Sequence, residues 1–267
     1  MIDFSKPTIM GILNVTPDSF SDGGRFNSLN SALNQVEKMI AEGADIIDIG
    51  GESTRPGADR VSIDEELNRV VPVIEAITKR FDTIISIDTS KPQVMDVAIK
   101  SGAHLINDVN ALQAEGAVDI ASQLNVPVCL MHMQGNPKNM QSNPRYTNII
   151  EEVCYFLKQR TEVCLEAGIK KKNILLDPGF GFGKTYEHNI ELLAGLNKIS
   201  ELGYPVLVGL SRKSLLDKMI ARKVDQRLAG SISLAIIALQ NSAKIFRVHD
   251  VAETIDALKV AQCFTRN

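Results

Sequence analysis

The sequence predicts an α/β fold, a single (β/α)8 barrel of the TIM type filling its 267 residues as one domain, 1–267. Three observations predict it: short apolar runs that recur along the chain, helical periodicity between them, and polar residues that close the runs. Runs that are apolar throughout suit strands covered on both faces, as in a parallel sheet wrapped by helices. A doubly wound open sheet uses the same repeating unit and is the alternative, but eight units in succession favour closure.

The runs occupy residues 8–13, 45–49, 83–87, 104–106, 126–131, 173–176, 205–210 and 244–248. Between the first two, Leu29, Ala32, Leu33, Val36, Met39 and Ile40 form one apolar stripe at helical spacing; Leu67, Val70, Val71, Ile74 and Ile77 form the next. Ser62 and Glu65 have the spacing of a capping box at the start of the second helix. Gly43, Gly102, Gly168 and Gly203 each stand where a helix must stop before a strand, and a left-handed residue ends a helix at little cost there. Residues 43–48 and 102–107 nearly repeat: helix end, strand, then a carboxylate or amide. The stripe Leu228, Ile232, Ala235, Ile236 and Leu239 faces either the barrel or a partner.

Composition removes several classes of function. Hydrophobic residues make up 44% and charged residues 23%, a globular balance far from that of disordered chains. A net charge of −3 without a basic stripe argues against nucleic acid as a partner. The opening residues lack a signal-peptide pattern and no long apolar run follows, so a cytoplasmic protein without a membrane partner is expected. Cys129, Cys154, Cys164 and Cys263 include no Cys-x-x-Cys pair and read as reduced packing residues.

In chain order the runs end in Asn14, Asp48, Asp88, Asn107, His132, Asp177, then Ser211 with Arg212 and Lys213, then Arg247 with His249. In a barrel these converge on the carboxyl-terminal rim, where active sites are built. Arg247, His249 and Lys213 supply cationic donors, and the aspartates supply acceptors. Cations after the last two strands match a common barrel phosphate site, so a phosphorylated ligand is expected. Loops 16–24, 50–57 and 177–184 are rich in glycine, which permits close backbone approach to a ligand. None has the Walker or Rossmann spacing. Without a protein-made metal cluster, and with Asn14 as the one candidate amide, any metal would be held mostly by substrate oxygens and water, as Mg²⁺ is.

Residues 10–24 (Met-Gly-Ile-Leu-Asn-Val-Thr-Pro-Asp-Ser-Phe-Ser-Asp-Gly-Gly) and 51–57 (Gly-Glu-Ser-Thr-Arg-Pro-Gly) resemble the dihydropteroate synthase family. The resemblance continues through Asp88-Thr89-Ser90, Ile106-Asn107-Asp108, Leu130-Met131-His132, residues 176–184, Ser211-Arg212-Lys213-Ser214 and Arg247-Val248-His249-Asp250. It implies a Mg²⁺-dependent transferase that joins 6-hydroxymethyl-7,8-dihydropterin diphosphate to p-aminobenzoate, with pyrophosphate and 7,8-dihydropteroate as products, and with sulfonamides as competing ligands. It further implies a homodimer. By the resemblance Asp177, Asn107, Lys213 and Met131 receive the pterin, and Arg247, His249, Thr54 and Asn14 with Mg²⁺ surround the diphosphate. Asp88 stabilises the developing pterin-methyl cation, with Lys213 and Arg247 completing the catalytic set. The resemblance also implies that Phe20, Pro56 and Phe182 frame the p-aminobenzoate ring, that Ser214 meets its carboxylate, and that Arg55 joins the substrate-binding set. Two rivals are a methyltetrahydrofolate-dependent methyltransferase, disfavoured by the cationic end, and a non-catalytic pterin-binding barrel, which has no need of Asn14, Thr54, Arg247 and His249 together.

Overall fold

A computed structural model describes residues 6–15, 24–53, 57 and 60–264, with backbone alone at 24–28. Eight strands run parallel: β1 (Thr8–Asn14), β2 (Ile46–Gly50), β3 (Ile84–Asp88), β4 (Leu105–Asp108), β5 (Val128–Met131), β6 (Ile174–Asp177), β7 (Leu207–Val208) and β8 (Ile245–Val248). They pair in the order β6-β5-β4-β3-β2-β1-β8-β7, and a single parallel bridge between Leu176 and Val206 joins the two ends. The chain is therefore a (β/α)8 barrel. The long crossovers are α1 (Gly24–Ala41), α2 (Ile63–Arg80), α3 (Pro92–Lys100), α4 (Ala117–Leu124) and α5 (Ile149–Glu166); α6 (Tyr186–Ala194) and the short α7 (Leu196–Ser200) follow β6. The short α8 (Leu215–Ile220) and α9 (Leu228–Gln240) follow β7, and α10 (Val251–Phe264) follows β8.

Side-chain alternation divides the strands into two faces. Outward residues such as Ile47, Ile49, Ile85, Ile87, Leu130 and Leu176 join the helices' apolar stripes in the outer core. Inward residues Met10, Ile46, Leu105, Cys129, Leu175, Leu207 and Ile245 fill the lower barrel. Two residues further along the inward face this apolar plug gives way to Asn107, Met131, Asp177 and Arg247, and on β2 to the buried Asp48 one level lower. One period-2 rule thus makes the core below and the polar rim above.

The helix stripes fold as their spacing predicts: Ala32, Leu33, Val36 and Met39 in α1, and Val70, Ile74 and Ile77 in α2, are buried. Gly43, Gly102, Gly168 and Gly203 all have positive φ at the predicted stops. The capping box at α2 is half formed. Ser62 Oγ accepts the Glu65 N–H at 3.2 Å, but the Glu65 carboxylate turns to Arg69, a cation one helical turn away. The reciprocal box occurs at α6 instead, between Thr185 and His188, where an imidazole nitrogen replaces the expected carboxylate. In α9 the buried face is Ser231, Leu234, Ala235 and Ala238, so the predicted stripe is turned: Ala235 packs inward while Leu228 is exposed. Cys129 and Cys164 are buried and Cys263 is exposed; all four cysteines are free thiols.

Candidate active site

Strand register brings the predicted residues to one rim. Asn14 pairs with Gly50, Gly50 with Asp88, and Asp88 with Asn107; Met131 pairs with Asp177. Asp48 does not belong to this level. It is the middle residue of β2, fully buried, and lies below the rim where sequence reading places it at the strand end. From there it supports Arg247: Nε donates to Asp48 Oδ2 at 2.6 Å, while Nη2 donates to Asp88 Oδ2 at 2.9 Å across the barrel mouth. Asn107 Nδ2 donates to the same Asp48 oxygen at 3.3 Å. Burial opposes the charge on Arg247, but Asp48 and Asp88 outweigh it and keep the guanidinium protonated. Burial raises Asp88; Arg247 opposes the rise, and Asp48, Glu66 and Asp108 reinforce it.

Asp177 ends β6 and turns into the glycine loop. Its Oδ1 accepts the Gly179 N–H at 2.7 Å. Burial lifts its pKa to about 6 against this hydrogen bond and the charges of Lys213, Lys184 and Arg247. Gly179, Gly181 and Gly183 all have positive φ, and a Cβ on Gly179 would stand 1.9 Å from the His132 carbonyl oxygen, so this loop is pressed against the loop after β5. Lys213 enters from β7 with its ammonium 4.3 Å from the Phe182 ring centroid, a cation–π distance. Burial draws Lys213 down to about 8, with Asp177 pulling the other way and Arg247 adding to the fall. Phe182 is half-buried beneath this ammonium, and Ser214 is exposed at the entrance to α8.

His249 follows β8. Burial, then Arg247 and Arg212, lower it to about 4, so the ring is neutral at pH 7. Ser211 Oγ accepts the His249 backbone N–H at 3.2 Å and lies 3.0 Å from Nδ1. When that hydroxyl donates its own proton to Nδ1, the ring proton lies on Nε2. Asn14 is exposed at the mouth beside Gly50. A Cβ on Gly50 would lie 3.6 Å from Asp88 Oδ2 and 3.7 Å from Asn14 Oδ1, so the glycine leaves a gap floored by backbone between two oxygen donors. Among the described residues no group of three or more His, Cys, Asp and Glu can hold a metal. One amide and an open gap fit an ion that keeps most of its own oxygen ligands, as Mg²⁺ does.

Phe20, Thr54, Arg55 and Pro56 lie outside the described residues. Sequence reading gives no role to several groups that hold the rim in shape. Lys91 pairs with both Glu52 and the fully buried Glu66, tying the start of the second loop to α2 and the loop after β3. Arg212, at φ 57°, is gripped by Asp250, and Arg227 donates to the carbonyls of Arg212 and Lys213 at 3.2 and 3.4 Å. Asp108 accepts the amides of Asn110 and Leu112, both at 2.7 Å, and supports a left-handed turn at Ala111 and Leu112. These partners lie far apart in sequence or on backbone atoms, so spacing carries no trace of most of them. The exception is Asp108, whose carboxylate two residues before an amide is a familiar turn pattern.

Comparison with known proteins agrees with this geometry. Residues 10–249 match the family described as pterin binding enzyme. Dihydropteroate synthase of Haemophilus influenzae is 59% identical over 261 residues, 98% of this chain and 95% of that protein. A Yersinia pestis dihydropteroate synthase solved with a sulfonamide drug superposes with a TM-score of 0.94 at 51% identity, covering 98% of this chain and 96% of the other. A Xanthomonas albilineans dihydropteroate synthase in complex with 7,8-dihydropteroate superposes at 0.90 with 44% identity, covering 100% and 96%. With the motifs, the barrel and the rim all in agreement, the chain belongs to the dihydropteroate synthase family of pterin-binding enzymes.

Proposed function

We propose that this barrel joins the methylene carbon of 6-hydroxymethyl-7,8-dihydropterin diphosphate to the amino nitrogen of p-aminobenzoate. The products are 7,8-dihydropteroate and pyrophosphate, as in folate biosynthesis. The observation that carries this reading is the Arg247–Asp88 contact across the mouth, because it divides the rim into two chemically different halves. On the β4 to β7 side stand Asn107, Met131, Asp177 and Lys213; on the β8 and β1 side stand Arg247, His249 and Asn14.

The first half suits a pterin. An ionised Asp177 accepts from the adjacent amino group and ring N–H of the pyrimidine edge, Asn107 offers one donor and one acceptor, and Lys213 donates to a ring carbonyl or nitrogen. Met131 lies against the ring face. The second half suits a diphosphate: Arg247 and the Nε2–H of a neutral His249 donate to its oxygens, with Thr54 completing the set. Bound Mg²⁺, held by Asn14 and ligand oxygens, would neutralise charge on the departing diphosphate.

As the C–O bond breaks, its electron pair leaves with the diphosphate, and the pterin-methyl carbon becomes cationic. Asp88 faces that carbon as a fixed carboxylate, and Arg247 couples it to the leaving group. The arylamine lone pair then forms the C–N bond and releases a proton to solvent. An arylamine is unprotonated near neutral pH, so orientation by Phe182, Ser214, Phe20, Arg55 and Pro56 suffices without a strong base. The sulfonamide and dihydropteroate complexes of the relatives support the same ligands here.

The proposal includes a cytoplasmic homodimer. Its support is the exposed apolar side chains of Ile237, Val260 and Phe264 in the C-terminal halves of α9 and α10, away from the rim. Among the described residues no helix is long and apolar enough to cross a membrane. The reaction is tested by following pyrophosphate with purified protein, both substrates and Mg²⁺. Release should require all three, and release that ignores p-aminobenzoate would refute the assignment.

A further inference from the structure

Lys184 closes the glycine loop with 3% of its surface exposed, and the proposed chemistry gives it no part. Its ammonium lies 2.9 Å from the Gly179 carbonyl oxygen, 3.0 Å from that of Phe182, 3.3 Å from that of His132 and 3.0 Å from His132 Nδ1. These are four acceptors around a group with three protons and no lone pair when charged. No carboxylate is among them. A buried ammonium held by backbone carbonyls does what a structural cation would do: it draws several backbone oxygens to one point.

We propose that Lys184 is a positioning residue for pterin recognition, its ammonium fixing the Gly179–Phe182 turn that aims the Asp177 carboxylate at the ligand. The proposal rests on the pterin reading given above. The link runs through one residue: Gly179 accepts from Lys184 with its carbonyl and donates to Asp177 Oδ1 at 2.7 Å with its amide. At φ 70°, with His132 against its Cα, Gly179 has little freedom to move either group alone. His132 is the other anchor. Burial, then Lys184 itself, lowers it to about 3, so it is a neutral acceptor at Nδ1. The turn is gripped from outside as well, by Tyr146 Oη donating to the Gly183 carbonyl at 2.7 Å and by Asn189 Oδ1 accepting the Gly181 N–H at 2.7 Å.

Charge supports the same role. Asp177 is faced by Lys213 from the loop after β7, by Arg247 from β8, by Cys129 from β5 and by Lys184 from its own loop. Of the three cations, Lys184 also holds the turn. Burial draws Lys184 to about 7, Asp177 pulls it up and Lys213 lowers it; the four acceptors favour its protonated form.

Two variants of the full chain remove the charge and differ in whether hydrogen-bond donors remain. Lys184→Gln keeps hydrogen-bond donors and removes the charge; Lys184→Met removes both. In ligand-free protein the Asp177 carboxyl titration, followed by ¹³C NMR and assigned through Asp177→Asn, should rise by roughly half a pH unit or more in each. Binding of 6-hydroxymethylpterin at pH 7 should weaken about tenfold, and its acid limb should rise with the carboxyl titration. In an Asp177→Asn background Lys184→Gln should add little. If folded Lys184→Gln leaves the Asp177 titration and the acid limb in place, the proposal is overturned even when affinity falls, since the Gly179 amide then holds the Asp177 carboxylate without help from Lys184. A wild-type protein that binds no pterin refutes the proposed function instead, and the ligand-free titration still decides on Lys184.

Discussion

Asp48 and Asp88 bind the same guanidinium, yet their depths assign them different tasks. Asp48 is fully buried, so its negative charge is tolerable only because Arg247 and Asn107 donate to it. Asp48→Asn should therefore behave as a broken buried pair, with stability lower by about 3 kcal/mol in urea titration. Asp88→Asn, at the open mouth, should cost less stability and more turnover; equal losses in both assays would merge the two roles. Asp177 gives a pH prediction. Its pKa stands at about 6 against 3.8 for an ordinary aspartate, chiefly through burial. The ionised form receives the pterin, so affinity should be full above about 6 and fall by up to tenfold per unit below it. The sign reverses for stability. Between 3.8 and 6 the folded chain holds a proton that the unfolded chain releases, so this group costs stability at neutral pH and the cost lessens as pH falls. Pterin binding measured from pH 5 to 8 should show the acid limb, and Asp177→Asn should flatten it while weakening binding.

At the scale of elements, the rim depends on what the strands omit as well as on what they carry. β7 contributes Leu207 inward and Val208 outward; Gly209 is the next inward position, and a Cβ there would meet no atom within 4 Å. The space it faces is the mouth between Asp177 and Arg247. Gly209→Val should fold with a melting temperature near wild type and lose pterin affinity by about tenfold or more, since its two methyls enter ligand space. A normal affinity would show that the mouth is not the binding space. Strand order and polar ends were legible from the sequence because alternation inside a parallel barrel leaves them no other direction. Depth was not legible: the motifs place Asp88 in the site and leave Asp48 a supporting role, but the register, with Asp48 opposite Ser86 and Asp88 opposite Asn107, is what sets Asp48 a level lower. Lys184 was hidden for another reason. Its partners are mostly carbonyl oxygens, which every residue possesses, so no residue type announces them.

The whole barrel is closed unevenly. β1, β2 and β3 pair over five residues at each junction, whereas β6 meets the β7 segment at one bridge, with the Leu176 N–H donating to the Pro205 carbonyl at 3.0 Å. Sequence reading assigned 205–210 a full strand because the run is apolar; in the structure the strand is two residues long, as Gly209 and the Arg212 turn leave the sheet early. The weak seam lies beneath the proposed pterin half, with Asp177 on one side and Lys213 on the other. A ligand held by both would join the two ends of the sheet without any new backbone bond. Local opening should therefore be easiest here in the ligand-free protein. Amide hydrogen exchange should find Leu176 less protected than Ile47 or Ile85. Saturating pterin should slow Leu176 by a larger factor than it slows those central strands, because the ligand must dissociate before the seam can part. If the ligand instead slows all strands by one common factor, the barrel opens as a single unit and the seam has no separate motion for the ligand to suppress.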